Sequence, residues 1–67
     1  MEYQVTQMLR VREVCRRTAL SKSHLYRLIE QASFPAPVRL GHRACAWVEI
    51  EVEHWLQQRI AISRQVA

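Results

Sequence analysis

The sequence predicts a mainly α domain with a small β-hairpin, arranged as a winged helix-turn-helix in the order helix, turn, helix, wing, helix. Two short apolar stripes at helical spacing are separated only by residues 18–20 and a capping serine, which is a helix-turn-helix spacing. A proline-stiffened segment and an alternating stretch with the single glycine of the chain then indicate a hairpin. The longest helical pattern follows it, so the hairpin is expected to pack on helices.

The first helix is predicted from side chains that recur at i, i+3, i+4 and i+7, namely Val11, Val14, Cys15 and Thr18. Its outer face carries charged side chains, among which Glu13 and Arg17 have the i,i+4 spacing of a helical ion pair. Arg16 and Arg17 are candidates for contact with phosphate groups. The alternative is that this charged face is simply solvated.

The second helix is predicted to run from about Lys22 to Gln31, with Ser21 as its N-cap. Its apolar stripe consists of Leu25, Leu28 and Ile29. The opposite face carries two hydroxyls and a guanidinium, from Ser23, Tyr26 and Arg27. Because such groups bind phosphates and base edges, this helix is the candidate recognition helix of the domain.

The wing is predicted between the second helix and the last one. Pro35 and Pro37 exclude helix and force an extended connection, which leaves Phe34 free to enter the core. Two strands of about four residues each are expected, over 38–40 and 44–47, around a bend at Gly41.

The third helix is predicted from about Glu49 to Arg64. Its core-facing side chains share one helical face and are Val48, Val52, Trp55, Leu56 and Ile60. Glutamates in its first turns and arginines toward its end both complement the helix dipole. Trp47 and Trp55, the largest apolar side chains, are expected to join the wing and this helix to the helix pair.

Charge is divided unevenly along the chain. Residues 9–47 hold eight basic and two acidic side chains, a formal +6, whereas residues 48–67 hold two basic and three acidic ones, a formal −1. Nine of the ten basic residues are arginines, which favours bidentate pairing with phosphate or guanine. A basic segment of this kind predicts a polyanionic partner.

Length and composition limit the other function classes. A chain of 67 residues makes one domain, here predicted at 9–64 with a flexible tail at 1–8, and leaves no room for an enzyme cleft. Cys15 and Cys45 form no CxxC pair and are interpreted as small apolar residues of a protein in a reducing compartment. A disulfide between them is the alternative. No cofactor, catalytic group or metal site is expected, and the absence of a long apolar run or signal peptide predicts a cytoplasmic protein without membrane contact.

Four stretches of the sequence together resemble the AlpA-type phage regulators, which are small winged-helix proteins related to excisionases and to the DNA-binding part of MerR regulators. The matching stretches are LRVREV, TALSKSHLYRLI, FPAPVRLGHRA and WVEIEVEHWL, which span about residues 9–60. The resemblance implies a DNA-binding regulator of a prophage or other mobile element. Two positions depart from the family pattern, because Ala19 replaces a frequent turn glycine and Ala46 a frequent basic residue before the wing tryptophan.

The resulting hypothesis is a transcriptional activator that places Lys22–Glu30 in a major groove of double-stranded DNA and the Gly41–Arg43 wing on the backbone or minor groove. Excisionase activity, with DNA bent for an integrase, is one alternative. A protein-binding module acting on RNA polymerase or an integrase is another. The protein is expected to be a monomer, or to associate weakly on repeated sites. The predicted DNA contacts are Arg16, Arg17, Ser21, Lys22, Ser23, Tyr26, Arg27, Arg39, His42 and Arg43.

Overall fold

The computed structural model describes residues 6–65 and confirms a small helix-turn-helix with a β wing. No helix within those residues has the length and apolar character needed to cross a membrane. The elements in chain order are β1 (Met8–Leu9), α1 (Val11–Thr18), α2 (Lys22–Glu30), β2 (Val38–Arg39), β3 (Cys45–Val48) and α3 (Glu49–Ser63).

The wing belongs to a three-stranded antiparallel sheet with the order β1-β3-β2. In β1, Met8 lies opposite Val48 and Leu9 opposite Trp47, while β2 pairs Val38 with Ala46 on the other edge of β3. The lead-in to the first helix is therefore a strand. The tail expected at 1–8 does not extend to its predicted end, because Met8 pairs with β3; residues 1–5 lie outside the described residues.

One apolar core joins every helix to the sheet. It consists of Leu9, Val14, Leu25, Phe34, Trp47 and Val52, all at most 6% exposed. Each helix contributes one of these side chains to the core, and the wing strand β3 contributes its tryptophan. The predicted apolar stripes thus meet at a single centre, which fixes α2 relative to the wing. Ile60 is the exception: it was predicted on the core-facing side of the third helix but is 43% exposed, because the end of α3 extends beyond the core.

Both tryptophans anchor the segment that connects α2 to the wing. Trp47 is fully buried and donates its indole N–H to the Pro35 carbonyl at 3.0 Å. Trp55 donates to the Ser33 carbonyl at 2.7 Å, and its ring contacts Phe34 with 4.7 Å between centroids. These bonds satisfy carbonyls that no helix or strand of the described residues pairs, so the proline segment is held in one conformation.

Two alanines occupy left-handed backbone positions that glycine adopts more easily. Ala19 ends α1 with a φ of 62°, so the turn keeps a left-handed geometry despite the missing glycine. Ala32, with a φ of 58°, follows α2 in a Schellman motif. In that motif the Ser33 amide donates to the Leu28 carbonyl at 2.8 Å and the Ala32 amide to Ile29 at 3.0 Å.

The wing differs in detail from its sequence prediction. Strand β2 has two residues instead of about four, because Pro37 has no N–H to donate and the chain bends away after Leu40. Gly41 has no positive φ, and a Cβ there would meet nothing within 4 Å. The bend therefore does not require glycine.

Helix α2 ends at Glu30, one residue before the predicted end. Ala32, two residues further on, has a left-handed backbone conformation and cannot continue the helix.

Candidate nucleic-acid interface

The N-terminus of α2 is capped as predicted and remains open to solvent. The Ser21 backbone is extended, and its Oγ accepts a hydrogen bond from the His24 amide at 3.1 Å. The amides of Lys22 and Ser23 precede that bond and sit in the first turn, where helical N–H groups have no intrahelical partner. Ser21, Lys22 and Ser23 are all exposed, so this terminus can receive an anion.

The outward face of α2 lies opposite the fully buried Leu25. Ser23 and Arg27 are four residues apart and both exposed, which places them side by side on this face. Within the described residues, Arg27 takes part in no ion pair. Its guanidinium is therefore available for a phosphate or a guanine edge.

Tyr26 joins the outward face of α2 to the wing. Its ring makes an edge-to-face contact with Trp47, with 6.3 Å between centroids, while 37% of the residue stays exposed. Burial raises the pKa of the Tyr26 hydroxyl, and the nearby thiols of Cys45 and Cys15 add to this rise. The hydroxyl thus stays protonated at neutral pH and can donate or accept one hydrogen bond.

The arginines of α1 are held by carboxylates rather than being free. Glu13 accepts bonds from Arg16, at 2.6 and 3.0 Å, and from Arg17 at 2.9 Å. Hydrogen bonds from Arg16 and then Arg17 lower the pKa of Glu13 to about 2. Arg17 also donates to Glu49 in α3 at 2.7 Å. The predicted Glu13–Arg17 pair is confirmed, but it belongs to a larger cluster that ties α1 to α3.

The contacts in this cluster distinguish Arg16 from Arg17, although both were predicted as phosphate contacts on the same helix face. The Arg16 side chain is 71% exposed, whereas that of Arg17 is 33% exposed and bonded to two glutamates. Arg16 projects into solvent beside Glu13, while Arg17 bridges two helices. Nothing in the local sequence indicated Glu49 as a partner, because it lies 32 residues further along the chain.

The wing presents its polar side chains at the bend. The Leu40 amide donates to the Ala44 carbonyl at 2.8 Å, and the Gly41 amide donates to the same carbonyl at 3.2 Å. This closes the loop and leaves His42 and Arg43 exposed at its tip, with Arg39 exposed on the short strand β2. Arg10 and Arg12, outside the predicted contact set, are also exposed at the start of α1.

The described residues also include two thiols and an open groove outside the predicted contact set. No three His, Cys, Asp or Glu side chains among residues 6–65 are arranged to hold a metal ion. Cys15 and Cys45 are free, half-buried thiols. An open groove of about 630 Å³ lies between the proline segment and α3, where the Arg59 guanidinium stands 5.6 Å from the centre of the Trp55 ring. Its lining combines apolar residues with the polar side chains of Glu51, His54, Gln58 and Arg59.

Comparison with known proteins points to phages. Residues 7–60 match the family model described as Prophage CP4-57 regulatory protein (AlpA). The chain is also 45% identical over 53 residues to the uncharacterized protein ORF88 of Enterobacteria phage P4. That alignment covers 79% of this chain and 60% of the phage protein, so the chain spans less than two thirds of that relative. No solved structure matches the chain. The family match includes every strand, α1, α2 and most of α3.

Proposed function

This chain belongs to the AlpA family of prophage regulatory proteins, and from this premise we propose that it is a sequence-specific DNA-binding activator of prophage or mobile-element genes. The observation that carries the proposal is the exposed face of α2, where Ser23 and Arg27 stand opposite the buried Leu25. A helix held by the core on one face and equipped with polar side chains on the other fits a major groove. The protein would act in the cytoplasm of the host, where prophage DNA resides.

Arg27 is the proposed base-reading side chain. It is exposed in the last turn of α2, and arginine forms the commonest specific contact with DNA, a bidentate pair with guanine. Ser23, one turn before it, and Tyr26, the preceding residue, supply hydroxyls next to it. Because Tyr26 contacts Trp47, the orientation of α2 toward DNA is coupled to the position of the wing.

Backbone contacts would hold α2 in register with the groove. The capped N-terminus, with Ser21, Lys22 and the amide of Ser23, is proposed to meet one phosphate. Arg16 is proposed to meet another, since it is the more exposed arginine of α1. Arg17, which sequence analysis placed in the contact set, is proposed to orient α1 against α3 through Glu13 and Glu49.

The wing would contact DNA beside the recognition helix. Arg39, His42 and Arg43 are exposed on β2 and at the tip, and a short basic loop of this kind can follow the backbone or enter the minor groove. Ala46 is fully buried within β3, so a basic side chain there would have to displace the groups that cover it. The tip rather than this position is therefore the proposed point of DNA contact.

Quantitative DNA binding tests the proposal. The experiment measures fluorescence anisotropy with duplexes obtained by selection from a random pool, over a range of salt concentrations. With about five phosphate contacts, the logarithm of the association constant should fall with the logarithm of salt concentration at a slope of about −4 to −5. Failure to enrich any sequence, or binding that is indifferent to salt, would refute it.

Activation and excision are separate roles that share this interface. An excisionase bends DNA at an attachment site to direct an integrase, whereas an activator raises transcription from a nearby promoter, commonly through RNA polymerase. A circular-permutation bending assay on the attachment site, together with a reporter on the adjacent promoter, distinguishes them. A pull-down after nuclease treatment identifies a protein-binding role, because only a direct partner is then retained.

A further inference from the structure

Arg12 differs from the other arginines of α1 because no carboxylate of the described residues pairs with it. The helix carries three arginines and one glutamate, a formal +2. Arg16 and Arg17 both bond to Glu13, and Arg17 also bonds to Glu49. The ion pairs of the described residues do not include Arg12, which is exposed. Its charge is therefore available to a partner outside the chain.

The two flanks of α1 face different parts of the domain. Arg17 donates to Glu49 of α3, so its flank lies toward the last helix. Arg12 is five residues earlier, which places it about 140° away around a helix of 3.6 residues per turn. Arg16 lies one turn after Arg12 and therefore beside it. Arg12 and Arg16 thus share the flank that points away from α3.

Cys15 connects this flank to the recognition helix. It lies three residues after Arg12, so the two are neighbours on the surface of α1, and it is half-buried. The pKa of the Tyr26 hydroxyl is raised by burial and then by the thiols of Cys45 and Cys15, so Cys15 lies near that hydroxyl. Because Tyr26 belongs to the outward face of α2, the flank of Arg12 borders the side of the domain that is proposed to meet DNA.

We propose that Arg12 binds a phosphate of the duplex that α2 reads, so that the interface continues from α2 past Tyr26 onto α1. This inference rests on the proposed function of α2. Arg12 and Arg16 are separated by about 5–6 Å between Cβ atoms, so their guanidinium groups can reach neighbouring phosphates of one strand. Arginine pairs with phosphate through two parallel hydrogen bonds, which would fix the position of α1 on the backbone.

Arg10 is a nearby arginine that the geometry places on a different surface. Its backbone is extended, so it continues the line of β1 beyond Leu9. Leu9 lies opposite Trp47, and both side chains are buried in the core. Successive side chains of an extended segment point to opposite faces, so Arg10 points to the face of the sheet away from the core. Arg10 therefore provides a control of equal charge, two residues from Arg12.

Anisotropy titrations of a selected duplex at several salt concentrations test the inference. Arg12→Ala should reduce the magnitude of the salt slope by about 1 and weaken binding to all sequences about equally, as a lost phosphate contact does. Arg12→Lys should keep most of the slope, because lysine retains the charge. Arg10→Ala removes the same charge and should keep the slope of the parent. Circular dichroism should show unchanged helix content in each variant, since both positions are exposed.

Ethylation interference on the same duplex locates the contacted phosphate. Ethylation removes the negative charge of one phosphate, so at the position of Arg12 it should weaken binding of the parent but have no further effect on Arg12→Ala. A full salt slope in Arg12→Ala, on a duplex whose binding Arg27→Ala weakens, overturns this inference alone. Equal reductions in Arg12→Ala and Arg10→Ala overturn it as well, because they reflect net charge. A parent chain that selects no duplex overturns it together with the proposed function.

Discussion

Arg17 of α1 and Glu49 at the start of α3 are joined by an ion pair of 2.7 Å between Nη1 and Oε2. Because Arg17 also donates to Glu13, it fixes the first helix of the helix-turn-helix against the last helix of the domain. Its neighbour Arg16 bonds only to Glu13 within the described residues and extends into solvent. Two adjacent arginines therefore have different partners and different exposures.

The two arginines should respond differently to alanine substitution. Arg16→Ala should weaken binding to all sequences about equally and reduce the magnitude of the salt slope by about 1, as expected for a lost phosphate contact. Arg17→Ala should leave the salt slope unchanged and lower the thermal midpoint of unfolding slightly, since exposed ion pairs stabilise little. Anisotropy titrations and thermal melts measure both; a reduced slope in Arg17→Ala would assign it to DNA instead.

The turn between α1 and α2 should be stabilised by glycine. Ala19 has a φ of 62°, where an L side chain is strained, so Ala19→Gly should raise the free energy of unfolding by about 0.5–1 kcal/mol. Ala61→Gly is the matched control, because the same change in a right-handed helical position should lower it, although by less than the roughly 1 kcal/mol of a helix interior, since Ala61 lies in the last turn of α3. Urea unfolding measures the two. Equal losses in both variants would show that the left-handed turn carries no strain.

The two tryptophans should differ in their contribution to stability. Trp47 is fully buried, so Trp47→Ala should cost about 3–5 kcal/mol, enough to unfold most of so small a domain. Trp55 is half-buried and borders an open groove, so Trp55→Ala should cost less, because water can fill the space. Chemical denaturation monitored by circular dichroism ranks them. A larger loss at Trp55 would place the centre of the core at α3.

Low pH should weaken the ion pairs that Glu13 forms with Arg16 and Arg17. The pKa of this carboxyl is lowered from 4.5 to about 2 in the folded chain by Arg16 and Arg17. Its contribution to stability is therefore complete above about pH 4.5 and disappears as the pH falls toward 2. Glu13→Gln removes the titrating group, so the difference in urea midpoint between parent and variant should shrink through this range. A constant difference would contradict the assigned pairing.

Much of the fold follows from local pattern. The stripe of Leu25, Leu28 and Ile29, the cap at Ser21 and the three-residue spacing from α1 predict the helix-turn-helix, because each is a short-range feature. The family resemblance then carried the expectation of a phage regulator, which the match over residues 7–60 confirms. The DNA contacts assigned to α2 and the wing stay predictions.

The contacts that could not be predicted from the sequence join residues far apart in the chain. The pairing of Met8 with Val48 and of Arg17 with Glu49 joins residues far apart in the chain, and neither leaves a periodic signal. The different partners of Arg16 and Arg17 could not be predicted for that reason. Likewise, the glycine at position 41 marked the bend of the hairpin, yet the positive φ angles lie at Ala19 and Ala32. The family pattern, with its frequent turn glycine, indicated the first of these positions but not the second.

The central claim is that the exposed face of α2 reads DNA, and Arg27→Ala tests it most directly. Arg59→Ala is the charge-matched control, because Arg59 stacks on Trp55 in α3, outside the proposed interface. On a selected duplex, Arg27→Ala should lose about 1–3 kcal/mol of binding free energy and relax preference at one base pair, while Arg59→Ala binds like the parent. Undiminished, equally selective binding by Arg27→Ala would contradict the account.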